Sequence, residues 1–139
     1  MAISQGMASS FKSEVLGGIH DLDTDVIKIA LYTSSATLSA ATTVYTTSNE
    51  VVGTAYVAGG NTLTSPVISL DGTTGICDFA DSTWAAATIT ARGALIYNSS
   101  KADRAIAILD FGSDKISTAG DFTVIMPAAA AATAIVRIA

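Results

Sequence analysis

The chain has 139 residues, of which 50% are hydrophobic and 14% are charged, and its formal net charge is −5 at pH 7. Its seven basic residues are scattered singly, so it lacks the basic stripe that neutralises phosphates, which argues against direct nucleic-acid binding. So few charges are unusual for a small soluble monomer and indicate a surface that neighbouring subunits largely cover.

The first third of the chain predicts one helix and one strand. Phe11, Val15 and Ile19 recur every four residues, which predicts a helix within Ser9–Ile19 that Gly17-Gly18 would close. Residues 1–10 could form an extended N-terminal arm, and they lack the basic and apolar regions of a Sec signal peptide. Thr24–Thr33 alternates as a strand does, and the hydroxyl-rich stretch Ser34–Ser48 is predicted to be a long surface loop.

The remainder predicts short strands separated by turns. Pro66 suggests an edge position or a strand start, and Asp71–Gly75 is typical of a tight hairpin. The predicted strands are Glu50–Val57, Leu63–Leu70, Ile76–Ala80, Trp84–Thr90, Ala91–Tyr97 after a bend at Arg92-Gly93, Arg104–Phe111 after a polar turn, Asp121–Met126 and Thr133–Ile138.

Strands without regularly alternating helices predict a mainly β fold. We expect an antiparallel β-sandwich, or a barrel-like arrangement, with one short N-terminal helix in a single domain, 1–139. The most apolar run, Pro127–Ala139, is too short to span a bilayer, so we expect no membrane association.

Trp84 is the single tryptophan and is expected to anchor the core. In a regular strand Ala86, Thr88 and Thr90 would share its face, and Ala87 would lie opposite. The only cysteine, Cys77, cannot form an intrachain disulfide and is expected to be a small buried thiol.

The acidic triplet Asp21, Asp23 and Asp25 resembles the start of a calcium loop. The rest of that loop is missing, because its sixth position is Val26 instead of Gly and its twelfth is Tyr32 instead of Glu. We therefore interpret the triplet as a solvated turn and predict no metal site and no cofactor.

No catalytic residues are predicted, so the chain is not expected to be an enzyme. His20 is the only histidine and no G-x-S-x-G motif accompanies it, so we expect it to be a polar residue at the helix end. Five aspartates near predicted strand ends could in principle form an acid–base pair, but nothing in the sequence marks a cleft: Asp78, Asp81, Asp103, Asp110 and Asp114.

Two blocks, Phe11–Leu63 and Phe79–Asp114, resemble a group of small β-rich virion structural proteins of tailed bacteriophages. The phrases that carry the likeness are KIALYTSSATL, GTAYVAGGNTL and ARGALIYN followed by LDFGS. These are packing and turn sequences, so they imply a family without implying an active site.

Within that group, the resemblance implies a capsid decoration (cement) protein. Its expected partners are the major capsid protein and copies of itself, such as a trimer, within a virion assembled in the bacterial host cytoplasm. Residues 1–10 and Ser34–Ser48 are the expected contact arms. A tail, neck or tube component that forms rings is an alternative, and a carbohydrate-binding module on a fibre is a third, which would need exposed aromatic side chains clustered on one face.

Overall fold

The computed structural model describes residues 2–139, and its strands pair antiparallel in two sheets. The strands are β1 (Gly6–Met7), β2 (Ile27–Tyr32), β3 (Asn61–Thr62), β4 (Val67–Asp71), β5 (Thr74–Asp78), β6 (Ser82–Asn98), β7 (Arg104–Val124) and β8 (Val136–Ile138). One sheet has the order β1-β7-β6-β2-β3 and the other the order β4-β5-β8. With one helix, α1 (Ser9–Leu16), this confirms the mainly β, antiparallel fold.

Helix α1 is shorter than the predicted range because two glycines follow it. The Gly17 N–H donates to the Ser13 carbonyl and the Gly18 N–H to the Val15 carbonyl, each at 3.1 Å. Gly18 has a φ of 73°, a left-handed conformation that favours glycine. Phe11 is fully buried, whereas Leu16 is 89% exposed. The helix therefore docks through one side only.

Strands β6 and β7 form a long hairpin, which differs from the prediction of four separate strands. Ser82–Asn98 and Arg104–Val124 are each continuous, and a short 3-10 turn at Ser99–Lys101 joins them. The bend predicted at Arg92-Gly93 is a register shift within β6. A side chain at Gly93 would lie 2.5 Å from the Leu109 carbonyl oxygen, so the two strands need glycine at this point.

The face predicted for Trp84 is wrong from Ala86 onward, because a bulge at Ala86 reverses the alternation of β6 and leaves Ala86, Thr88 and Thr90 exposed. Ala86 has a φ of 51°, and its N–H donates to Asp121 Oδ1 at 3.1 Å. The pairing register shifts between Trp84 and Ala87, so Ala87 is buried on the same side as Trp84 while Thr88 is exposed. Trp84 itself is buried, as predicted.

The predicted strand Glu50–Val57 is wrong. This stretch is irregular and makes only isolated bridges, from Glu50 to Tyr32 and from Thr54 to Thr88. The predicted strand Leu63–Leu70 is also displaced: the chain leaves one sheet after β3 and enters the other at β4. Pro66 directly precedes β4, an edge strand, as its position predicted.

Both sheets contribute side chains to one core. Its largest fully buried members come from α1, β2 and the paired halves of β6 and β7: Phe11, Ile27, Ile29, Leu31, Tyr32, Leu95, Ile96, Tyr97, Ile106 and Ile108. Trp84 and Phe122 of the long hairpin join the same core as Cys77 of β5 and Val136 of β8.

The N-terminal segment lies beside the hydroxyl-rich loop. Ile3 forms a parallel bridge with Leu38, the Ser4 N–H donates to the Leu38 carbonyl at 2.8 Å, and β1 pairs with β7. Ile3 and Leu38 are both buried. Residues 2–10 and 34–48 thus form one continuous surface at the β1 edge of the larger sheet.

Candidate interaction surfaces

The side chain of His20 belongs to a polar network at the tip of the long hairpin, where β6 turns into β7. Its side chain is fully buried, with Nε2 2.9 Å from Glu14 Oε1 and Nδ1 3.0 Å from Asn98 Nδ2. Arg104 Nη1 lies 3.1 Å from the other Glu14 oxygen. Since both ring nitrogens are occupied, His20 holds the end of α1 against the hairpin and has no free nitrogen to act as a general base.

The acidic triplet does not converge on a common point. Asp21 Oδ1 accepts hydrogen bonds from the backbone N–H groups of Asp23 and Thr24, at 3.1 and 3.3 Å. Asp25 instead accepts from Asn98 Nδ2 at 2.8 Å and pairs with Lys101 Nζ at 2.7 Å. Within residues 2–139, no group of three or more His, Cys, Asp or Glu side chains is arranged to hold a metal ion.

These hydrogen bonds stabilise the ionised form of Asp25. Burial opposes ionisation, but the donors Asn98 and Lys101 outweigh it and lower the pKa of Asp25 to about 2. The carboxylate therefore serves as a fixed anion that joins the turn after α1 to the tip of the hairpin.

The other aspartates are dispersed. Asp81 Oδ1 accepts from the Met126 N–H at 2.7 Å, and Asp110 Oδ1 accepts from the Gly112 N–H at 2.9 Å and from Arg92 Nε at 3.3 Å. The Gly112 N–H, followed by Arg92, lowers the pKa of Asp110. Asp81 thus binds the backbone just after β7 ends, whereas Asp110 lies within β7 rather than near a strand end and binds the backbone of the same strand.

A buried carboxylate surrounded by tyrosines is a feature that the sequence prediction missed. Glu50 is 7% exposed and accepts hydrogen bonds from the Tyr45 hydroxyl at 2.6 Å, the Tyr56 hydroxyl at 2.5 Å and the Gly59 N–H at 2.8 Å. The Tyr97 hydroxyl donates to the Gly59 carbonyl at 2.7 Å. We call these four residues and Glu50 the tyrosine cage.

The tyrosine cage is a structural clamp on the irregular segment 44–60. Burial, followed by the hydrogen bond to Glu50, raises the pKa values of Tyr45 and Tyr56 well above the ordinary range. Burial and the charges of Asp103 and Glu50 raise the pKa of Tyr97 to about 12. The hydroxyls therefore remain neutral donors near pH 7.

Cys77 is a buried thiol, as predicted. It is 3% exposed, and burial raises its pKa to about 11, so it holds little thiolate near neutral pH.

The exposed surface is largely uncharged. Small side chains line the outer face of the long hairpin at Thr83, Ala85, Ala86, Thr88 and Thr90. Large apolar side chains are exposed at Leu16, Val26, Val44, Val52, Val57, Val67, Ile68, Leu70, Ile116, Ile125 and Ile138. Three of these are in β4, where all five residues are exposed.

A groove of about 960 Å³ runs between β7 and the C-terminal segment 127–139. Apolar residues such as Met7, Leu109 and Ile135 line it, with Lys12 and Arg137 among the charged residues at its wall. No helix within residues 2–139 is long and apolar enough to cross a membrane.

No protein-family model matches the chain, and no curated protein or solved structure is significantly similar to it.

Proposed function

We propose that the chain is a structural protein of a tailed-bacteriophage virion, and most specifically a capsid decoration protein that bridges and stabilises capsid subunits. The observation that carries this proposal is the contrast between interior and surface. The buried polar groups of His20, Asp25 and Glu50 hydrogen-bond within the fold, whereas small and apolar side chains remain outside. A surface of this composition suits close contact with neighbouring subunits.

The phrases that resemble phage virion proteins occupy elements central to this fold. KIALYTSSATL forms β2 and the start of the loop after it, and ARGALIYN lies within β6. They support the family by resemblance alone, and the surface composition supports an assembling role independently of them.

We propose that the contact with the shell is made by the joined surface of residues 2–10 and 34–48. These two segments were the arms expected from the sequence, and they lie side by side along the larger sheet. Outward residues such as Ser4, Gln5 and Thr37 are exposed between buried anchors. Each contact can be weak because a lattice repeats it many times, and the added buried area would strengthen a shell against the pressure of its DNA.

The direct test is to locate the protein in purified particles by cryo-electron microscopy. Many copies spread over the head, removable without dismantling the shell, would support decoration. A single six- or twelve-fold ring at a vertex, or stacked rings along the tail, would instead identify the alternative tail, neck or tube component.

A pair of threonine variants tests the contact surface. Thr37→Glu places an unpaired charge on the joined surface, and Thr64→Glu places the same charge on an exposed site away from it. Burying an uncompensated carboxylate is costly, so Thr37→Glu should weaken binding to stripped capsids at least about tenfold, a change of about 1.4 kcal/mol. Equal binding by both variants would exclude this surface.

The carbohydrate-binding alternative is less well supported. Stacking on sugars needs exposed aromatic rings, yet all nine aromatic residues lie within 2–139 and each is buried or only partly exposed.

A further inference from the structure

Strand β4 is an apolar sheet edge. Its five residues, Val67–Asp71, are all exposed, and Val67, Ile68 and Leu70 are 55, 56 and 75% exposed. Within residues 2–139, β5 is the only strand that pairs with β4, so one side of β4 is an edge. Sheet edges are commonly protected by charged side chains, an internal proline or a bulge. The charged residue of β4, Asp71, lies at the hairpin end of the strand and accepts a hydrogen bond from the Ala131 N–H. Residues 67–70 have none of these protections, which suggests that another strand covers them.

The hairpin fixes which backbone groups of β4 point outward. Asp71 pairs with Thr74 across the two-residue loop Gly72-Thr73, and Gly72 has a φ of 62°, as a type II′ turn requires. The pair flanking such a loop exchanges hydrogen bonds with each other, and hydrogen-bonded pairs alternate along the ladder. Asp71, Ser69 and Val67 therefore bond to β5, while the N–H and C=O groups of Ile68 and Leu70 point away from it.

The sequence of β4 is complementary to itself in one register. If two copies pair antiparallel about a two-fold axis at Ser69, then Ile68 of each copy faces Leu70 of the other. These are the two residues with outward backbone groups, so four hydrogen bonds form across the axis. Their side chains lie on the same sheet face and make an apolar cluster of four. Asp71 faces Val67 of the other copy, so the acidic side chains lie at opposite ends and do not repel closely.

We propose that β4 pairs antiparallel with β4 of a second copy of this chain, centred on Ser69. A second copy fits better than a foreign strand because one register satisfies three conditions at once. In that register the outward backbone groups of Ile68 and Leu70 face each other, their apolar side chains pair, and the two Asp71 side chains are far apart. A five-residue edge is smaller than the roughly 800 Å² per partner of a stable complex, so the pairing is a reversible dimer in solution. Such a dimer would extend the proposed assembling role, on which it builds, but its formation in solution does not depend on where the protein sits in a particle.

Cross-linking tests the register. At a non-hydrogen-bonded pair the Cα atoms are about 4.5 Å apart, within the range that a disulfide spans. Ser69→Cys should therefore form a disulfide dimer under mild oxidation. Val67→Cys is the matched control, since its two copies would be about 14 Å apart along the strands. The wild-type chain, whose Cys77 is buried, gives the background.

Two further variants test the surface without a new thiol. Leu70→Pro removes an outward N–H and leaves the β4–β5 bonds in place, and Ile68→Lys puts a charge on the edge. Each should raise the dimer dissociation constant in sedimentation velocity at least about tenfold, because two of the four hydrogen bonds or the apolar cluster are lost. Val52→Lys, at a residue that is 93% exposed elsewhere, should leave the constant unchanged.

Circular dichroism of each variant checks that the fold is kept. A wild-type protein that remains monomeric at all concentrations would overturn the proposal. So would an oligomer that survives both edge variants while Ser69→Cys fails to cross-link, because another surface would then hold the copies together.

Discussion

Replacing Glu50 by alanine should destabilise the protein strongly. The substitution leaves three donors without their acceptor, namely the buried Tyr56 hydroxyl and Gly59 N–H and the half-buried Tyr45 hydroxyl. At about 1 to 1.5 kcal/mol for each unsatisfied donor, the free energy of unfolding should fall by about 3 to 5 kcal/mol. For a chain of this length, the melting temperature should drop by about 10 to 15 °C.

Urea denaturation followed by tryptophan fluorescence measures this loss. The ring of Trp84 lies 5.9 Å from that of Tyr56, so its emission reports on the tyrosine cage directly. Asp114→Ala is the control, since Asp114 is an exposed acid and its loss should cost less than about 0.5 kcal/mol. If the two variants unfold at the same urea concentration, the tyrosine cage does not hold segment 44–60 in place.

Three further predictions concern the backbone, the acid limit and the thiol. Gly60 has a φ of 76° and packs on the Ile29 carbonyl, so Gly60→Ala should cost about 3 to 5 kcal/mol of unfolding free energy. Gly72→Ala, which meets open space, should cost only about 1 kcal/mol; similar urea midpoints for the two would contradict this packing. Because the pKa of Asp25 falls from 3.8 to about 2 on folding, its ionised carboxylate stabilises the fold fully above pH 4, and this part of the unfolding free energy is lost as the pH falls towards 2. In acid titrations Asp25→Asn should lack this loss of stability, and identical curves for the variant and the wild type would refute the assignment. Cys77 should resist a thiol reagent at pH 8 in the native protein and react fully in urea, and rapid native labelling would show that the thiol is accessible.

The sequence correctly predicted the helix end and the hairpin turn, because each is determined by residues that are adjacent in the chain. Gly17-Gly18 ends α1, and Asp71–Gly75 forms the predicted hairpin. Such positions are set by glycine conformation and by short-range hydrogen bonds. The buried Trp84 and Cys77 likewise followed from residue type alone.

The sequence predictions failed where residues far apart in the chain determine the backbone conformation. The bulge in β6 is at Ala86, which is not a typical residue for a positive φ, and its N–H is bonded by Asp121 from the partner strand. Glu50 begins a stretch that alternates like a strand, yet its carboxylate is bonded by Tyr45 and Tyr56 in a loop. The hydrogen bonds of Asp121 to Ala86 and of the tyrosines to Glu50 depend on the folded structure. The periodicity of a short stretch of sequence therefore could not predict them.

The two surfaces proposed for assembly lie on different sheets. The segments 2–10 and 34–48 border the β1 edge of the five-stranded sheet, while β4 is an edge of the three-stranded sheet. Because they share no residues, a charge on one should leave binding through the other nearly unchanged. A subunit that binds a shell through one edge and a second copy through the other would connect neighbouring sites, and each link would raise the local concentration for the next. Stability of this kind needs many uncharged contacts of modest strength, and the small exposed side chains of the long hairpin would let neighbouring subunits approach closely.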